Sequence, residues 1–202
     1  MSLSINPIPV DRSTALVWGR ALISEPASGC GLSAACIVAE YEGAICWLDI
    51  APDEHAPEKL FESFSGSVFE RDDQHMQTLL DDALELLTTG GDLQLRVTGT
   101  PFQLQVWRAL TDLVAGDKDT YGALAKRIGR PGAARAVGSA AAANTIALLI
   151  PCHRLVPAGG GCGSYRWGAA LKRRMLDAES SAANVSIYGQ NRTYKAYSDR
   201  LS

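Results

Sequence analysis

The 202-residue sequence is short of long apolar runs, paired-cysteine motifs and histidine, and each shortage removes a class of protein. The longest unbroken apolar stretch, about 146–151, falls far below the ~20 residues that a membrane-spanning helix needs, so no membrane partner is expected. The first ten residues carry no basic side chain ahead of an apolar core and do not read as a secretory signal. The five cysteines (Cys30, Cys36, Cys46, Cys152 and Cys162) are odd in number and include no C-x-x-C. With His55, His75 and His153 they make no zinc-finger spacing. No metal and no cofactor are expected, Cys36 and Cys46 read as buried free thiols, and the expected compartment is the cytoplasm.

What is present is an ordinary globular composition, 47% hydrophobic and 20% charged, enough for one large or two small domains. A net charge of −3 argues against a nucleic-acid partner only until it is divided along the chain. Residues 1–100 hold 5 basic and 16 acidic side chains, residues 101–180 hold 11 and 5, and residues 181–202 hold 3 and 1. A polyanion responds to the local field it meets, so the basic half can face DNA while the acidic half faces away. Ordinary solvated helix faces would give the same count.

Segments 35–39 and 44–48 read as strands joined by a turn at Gly43, and a strand near 14–23 completes a small antiparallel sheet. Pro57 opens a helix with Leu60, Phe61 and Phe64. A clearer helix over 73–87 has Met76, Leu79, Leu80, Ala83, Leu84 and Leu87 recurring at helical spacing and stops at Gly90-Gly91. Segment 93–97 alternates as a strand. Residues 1–98 are therefore expected to form a small α/β domain with a small antiparallel sheet and helices. Gly99-Thr100-Pro101 then opens a mostly α domain, 99–179, with Thr100 as a helix cap and Phe102, Val106, Ala109, Leu110 and Leu113 on the buried face. Segments 120–128, 129–132 and 133–144 have the layout of a helix-turn-helix. The second helix of that pair is nearly all Ala, Gly and Ser, with Arg135 as its one long polar side chain. That suits close approach to a minor groove, and equally a helix packed tightly against neighbours. The tail 180–202 has no strong periodicity and is expected to be mobile.

The apolar, strand-like run 146–150 ends in Pro151-Cys152-His153-Arg154. A thiol beside an imidazole can be held as thiolate, and the thiolate is the nucleophile. Alone, the dipeptide fits a buried structural cysteine as well, because adjacent side chains of a strand point to opposite faces. A Gly-rich loop, 157–165, follows, able to approach a flat ligand through its backbone. A helix over 168–179 carries Lys172, Arg173, Arg174 and Glu179.

These segments occur together in a recognisable order. Gly99-Thr100-Pro101-Phe102-Gln103, Gln105-Val106-Trp107, Thr120-Tyr121, Ala133-Ala134-Arg135-Ala136-Val137-Gly138, Asn144, Ile150-Pro151-Cys152-His153-Arg154 and Gly163-Ser164-Tyr165-Arg166-Trp167-Gly168 resemble the O6-alkylguanine-DNA alkyltransferase family. The resemblance is continuous over 99–179 and greatest to the C-terminal half of the bacterial adaptive-response alkyltransferases; 35–50 resembles the family's N-terminal domain more weakly.

The resemblance implies a monomeric repair protein that acts once on double-stranded DNA containing O6-alkylguanine, with O4-alkylthymine as a further substrate. It implies that Cys152 accepts the alkyl group from a base turned out of the stack. His153 would take the thiol proton through a water, and Glu179 would orient the imidazole. Arg135 would fill the gap left by the base, Thr120 and Tyr121 would stand near the rotated phosphate and base, and Asn144 would tie the recognition helix to the active-site strand. Tyr165 and its loop would bound the pocket, with backbone groups around Cys152, Leu155 and Arg166 reading the base edge. Trp167 stands where some relatives have glycine and is expected to narrow the pocket.

The sequence departs from the family at Gly122-Ala123, where a glutamine pair is frequent, and at Leu155, where valine is usual. Nothing matches the family's zinc sites or its leading methyl-phosphotriester and regulatory domains, so transcriptional control is not expected. Three competing readings differ in what they require. A non-catalytic alkyltransferase-like binder lacks the acceptor cysteine. A helix-turn-helix regulator would have to read bases with Arg135 alone. A thiol hydrolase needs an oxyanion hole that the sequence does not show.

Overall fold

The computed structural model describes residues 2–8, 14–24, 32–50 and 56–181; Cys30, His55 and the tail beyond 181 lie outside the described residues. The elements in chain order are β1 (Ser2–Pro7), β2 (Ala15–Ile23), β3 (Ala34–Tyr41), β4 (Ala44–Ile50), α1 (Ala56–Ser63), β5 (Val68–Arg71), α2 (Asp73–Thr89) and β6 (Asp92–Val97). There follow α3 (Pro101–Thr111), β7 (Asp119–Thr120), α4 (Tyr121–Arg127), α5 (Ala134–Ala142), a 3-10 turn at Cys152–Arg154, β8 (Leu155–Val156) and α6 (Ala169–Ser180).

Glu42 and Gly43, both at positive φ, make a two-residue turn whose twist suits the strands it joins, and β3 folds back on β4. β2 pairs antiparallel with β3, so the expected ribbon of three strands is the centre of the sheet. Its extent differs from the expectation. The sheet has six strands in the order β1-β6-β4-β3-β2-β5, and β5, β6 and β1 all join in parallel, which makes it mixed. β1 and β5 carry no legible period. β1 is six residues ending in proline, and three of the four residues of β5 are exposed. α2 covers one face with Met76, Leu80, Ala83 and Leu84, and Leu60 of α1 with Phe64 just after it covers the other against Trp47 and Ile37. Asp72 caps α2 by accepting from the His75 N–H, and β2 passes so close there that a Cβ on Gly19 would meet Asp72 O at 2.7 Å.

The mostly helical half begins at a reciprocal cap. Thr100 Oγ1 accepts from Gln103 N, while Gln103 Oε1 accepts from Thr100 N at 2.8 Å, and Pro101 occupies the first turn of α3. Trp107 of α3 is buried and donates its indole N–H to Ala140 O at 2.8 Å, which fixes α3 against α5. α4 and α5 form the helix-turn-helix, with Val137, Ala140 and Ala141 buried and Arg135 exposed.

The two halves are joined by backbone as well as by side chains. Leu48 N donates to Thr145 O at 3.0 Å and Ala147 N to Leu48 O at 2.8 Å, so β4 pairs with the segment that leads to Cys152. Arg108 of α3 donates to Ile5 O of β1. The chain passes from β6 to α3 through 98–100, and one buried cluster, including Leu48, Leu80, Leu95, Val106, Ile146 and Leu149, continues across.

The run 146–150 is not a strand. Ile146 makes a single bridge to Leu48, and the chain then turns through 147–149 with Leu148 at φ 65°. Its side chains are buried on every side, which removes the alternation that would tell strand from turn. No helix among the described residues is long and apolar enough to cross a membrane.

Candidate active site

Asn144 lies two residues beyond the end of α5, and its buried carboxamide shapes the turn that carries Cys152. Oδ1 accepts from Ile146 N at 2.9 Å. The two N–H bonds of Nδ2 are shared among Ile146 O, Ile150 O and Cys152 Sγ, each at 3.1 Å. Cys152 is buried at the start of the 3-10 turn. Burial pushes its thiol up from the ordinary value, and the Asn144 donor and the Lys172 ammonium oppose that without overcoming it. At neutral pH the resting group is therefore a thiol.

The 3-10 geometry places His153 and Arg154 together behind the sulfur, both facing Glu179 of α6. His153 Nε2 lies 2.9 Å from Glu179 Oε1. Arg154 grips the same carboxylate through Nε and Nη2 and donates Nη1 to Leu113 O at 2.5 Å. Gly116 N adds a further donor to Glu179 Oε2. Burial holds His153 below the ordinary imidazole value, so the ring is neutral at pH 7. With Nε2 donating to Glu179, Nδ1 is left as an acceptor, buried and without a hydrogen-bond partner among the described residues. Burial pushes Glu179 up, but the hydrogen bonds and charges of His153 and Arg154 outweigh it and hold the carboxyl at about 2. Arg154 contributes its own hydrogen bonds and charge beside those of His153, so the carboxylate does not depend on the imidazole alone.

In front of the sulfur is a cavity of about 580 Å³, lined by Tyr121, Arg135, Gly138, Cys152, Tyr165 and Arg166 among others. The small residues of α5 leave room for it. Gly163, at φ 69°, lets its loop approach Pro157 so closely that a Cβ would stand 3.0 Å from that ring.

Of the residues that the sequence points to, Tyr121, Arg135, Cys152, Tyr165 and Arg166 meet at this cavity, and Asn144, His153 and Glu179 lie behind Cys152. Thr120 caps α4, accepting from Ala123 N. Leu155 is buried in β8, paired with β7, and its carbonyl accepts from Lys172 Nζ at 2.5 Å. Trp167 is placed differently from the expectation. It is absent from the cavity lining, because its indole N–H is drawn to Asp49 on β4. It touches the wall only indirectly, its ring 5.1 Å from that of Tyr165.

Lys172 is the member that sequence reasoning passes over as one cation of a basic helix. The signal was its spacing: Lys172, Met175, Leu176 and Glu179 form the buried face of α6 at helical intervals. Cys36 and Cys46 are buried free thiols of the sheet, and burial pushes both up, Cys36 to about 12. No group of three or more metal-binding side chains occurs among the described residues.

Residues 101–181 match the family model described as 6-O-methylguanine DNA methyltransferase, DNA binding domain. Over 153 residues the chain is 38% identical to the bifunctional transcriptional activator/DNA repair enzyme Ada of Escherichia coli (strain K12), covering 72% of this chain and 42% of that one. The fold matches a crystallised OGT variant from Mycobacterium tuberculosis with TM-score 0.64 and 30% identity, over 82% of this chain and 93% of that one. The chain belongs to the O6-alkylguanine-DNA alkyltransferase family. Another alkyltransferase-family similarity is to the methylated-DNA--protein-cysteine methyltransferase of Mycobacterium bovis, 46% identical over 96 residues, or 48% of this chain and 58% of that one. The Mycobacterium tuberculosis OGT crystallised in complex with DNA is also similar, with TM-score 0.61 and 28% identity over 84% of this chain and 98% of that one. The chain spans about half the length of the sequence relatives it matches, 42% to 58%.

Proposed function

We propose that this chain is a direct-reversal DNA repair protein that transfers an alkyl group, methyl in the simplest case, from O6-alkylguanine in double-stranded DNA to its own Cys152, once per molecule. One observation carries the reading: a single cavity is lined both by the buried thiol of Cys152 and by Arg135, the exposed cation of the small-residue helix. A nucleophile in such a place reaches a base only if the base leaves the duplex, and a long side chain on the helix beside it can occupy the space left behind. A similar protein has been crystallised with DNA.

In this reading α5 enters the minor groove, Arg135 takes the place of the extruded nucleotide, and the alkylated base enters the cavity between Tyr121 and Tyr165. The thiol proton passes through a water to His153 Nδ1, and the imidazolium is stabilised by Glu179 at 2.9 Å. The Asn144 donor and the Lys172 ammonium stabilise the thiolate as it forms. The sulfur lone pair makes the S–C bond, the C–O6 bond breaks, and its electron pair passes to the guanine. Donation from the Tyr121 phenol toward N3 offsets that developing charge. The product is a thioether, and no group in the site can return it to a thiol.

Residues 99–179 carry the chemistry and the DNA contacts, and 1–98 form the scaffold. All reacting groups come from one chain, which supports action as a monomer. A single-use thiol also suits a reducing compartment such as the cytoplasm. The test is mass spectrometry after incubation with a duplex bearing one O6-methylguanine. One added methyl group on the Cys152 peptide supports the reading. Tight binding without any mass gain, or a gain on another residue, overturns it.

A further inference from the structure

Three consecutive residues of β4 reach the active site from the N-terminal sheet. Leu48 does so through the backbone pairing to Thr145 and Ala147. The Trp47 ring lies 5.9 Å from the guanidinium of Arg166, which is also 5.6 Å from the centre of the Trp167 ring. Asp49, 5% exposed, accepts the indole N–H of Trp167.

Asp49 calls for an explanation. Among the described residues, only Asp49 and Glu179 are buried carboxylates, and Glu179 is gripped by Arg154 and His153. An acid inside a sheet is costly unless its oxygens are held, and an apolar side chain would suit the burial better. What Asp49 holds is the loop that forms the cavity wall. That loop runs between Gly163 and Gly168, at φ 69° and 97°, and its own turn is closed by the bond from Gly168 N to Tyr165 O. Glycines at positive φ on either side give it conformational freedom, so contacts with β4, together with the packing of the Tyr165 ring on His153, fix where Tyr165 and Arg166 stand.

We propose that Asp49 is a positioning residue for alkyl transfer: by anchoring Trp167 it fixes the wall made by Tyr165 and Arg166, and so sets the shape of the cavity in front of Cys152. The rate consequence rests on the proposed function; the structural consequence does not.

The test compares four variants with the wild type: Asp49→Asn, which keeps an acceptor oxygen; Asp49→Val; Trp167→Phe; and the Asp49→Val/Trp167→Phe double variant. Amide hydrogen exchange over 163–168 reads the anchor directly. Single-turnover transfer from an O6-methylguanine duplex reads its effect, as a maximal rate and a half-saturating DNA concentration. Loss of one hydrogen bond to a charged acceptor corresponds to about a tenfold change. Asp49→Val and Trp167→Phe should each speed exchange and slow the maximal rate by about that factor, with the double variant no worse than either single. The maximal rate should change more than the half-saturating concentration, because Arg135 is untouched, and Asp49→Asn should behave nearly as wild type. Unaltered exchange, or effects that add in the double variant, overturns the proposal. If Asp49→Val does not fold, Trp167→Phe and Asp49→Asn still decide it. If the wild type transfers nothing, the proposed function fails while the exchange measurement still tests the anchor.

Discussion

Asn144 Nδ2 reaches Cys152 Sγ at 3.1 Å while also holding the carbonyls of Ile146 and Ile150, so one buried side chain both builds the turn and presents a donor to the nucleophile. Asn144→Ala removes both roles. Both carbonyls keep a backbone donor, from Ile150 N and Cys152 N, but Ile146 N loses its acceptor; that should cost about 1–3 kcal/mol, and losing the donor to Cys152 should slow transfer by roughly tenfold. Urea denaturation and single-turnover kinetics check the two effects separately. A variant as stable as wild type would show that the turn does not depend on Asn144.

Lys172→Met keeps an unbranched side chain, one atom shorter, and removes both the donor to Leu155 O and the ammonium that favours the Cys152 thiolate. Transfer at pH 7 should fall about tenfold and recover as pH rises, because more alkaline solution replaces the lost electrostatic assistance. A pH–rate profile that superimposes on that of the wild type would remove Lys172 from the chemistry.

Stability should be greatest between neutral pH and about 9. Glu179 is held at about 2, below its ordinary 4.5, so its contribution is complete above 4.5 and is lost as pH falls toward 2. His153 acts earlier on the same limb. Below its ordinary 6.5 the unfolded chain takes up a proton that the native ring resists. Above 9 the unfolded chain loses the Cys152 proton that the native site retains. Urea midpoints from pH 3 to 10 should trace this shape, and Glu179→Gln should be less stable than wild type at pH 7 with a shallower decline below 4.5. A steep decline unchanged in that variant would assign the acid limb to other groups.

Arg135→Ala should slow repair of a duplex by tenfold or more while leaving reaction with free O6-benzylguanine within about twofold, since only the duplex must be held open. Parallel single-turnover assays on the two substrates measure this. Equal slowing on both would give Arg135 a part in the chemistry.

Much of the site was legible because its residues lie close together in sequence and carry distinctive chemistry: Cys152 and His153 are adjacent, and Arg135 stands alone among small residues. The helices were legible for a local reason too, in the period of α2 and the Thr100–Gln103 cap of α3. What escaped depends on partners distant in sequence. β1 is a strand because β6 accepts it, and β5 because β2 does. The run 146–150 looks like a strand because it is apolar throughout, yet Asn144 and Leu48 turn it. Trp167 is expected to narrow the pocket because its place in the chain is beside it, whereas Asp49, on β4, takes its indole N–H.

The pairing of Leu48 with Thr145 and Ala147 also governs the order of assembly. It closes a loop of roughly a hundred residues, and the entropy of such a loop is met before the contact rewards it. Helices α3 to α6 draw on nearer neighbours and can form first, while the turn leading to Cys152 waits for β4. A chain short of that closure lacks the burial that holds Cys152 as a thiol. If the proposed function holds, a sulfur alkylated before closure is not recovered, so the speed of the last closure bears on how many new molecules stay active.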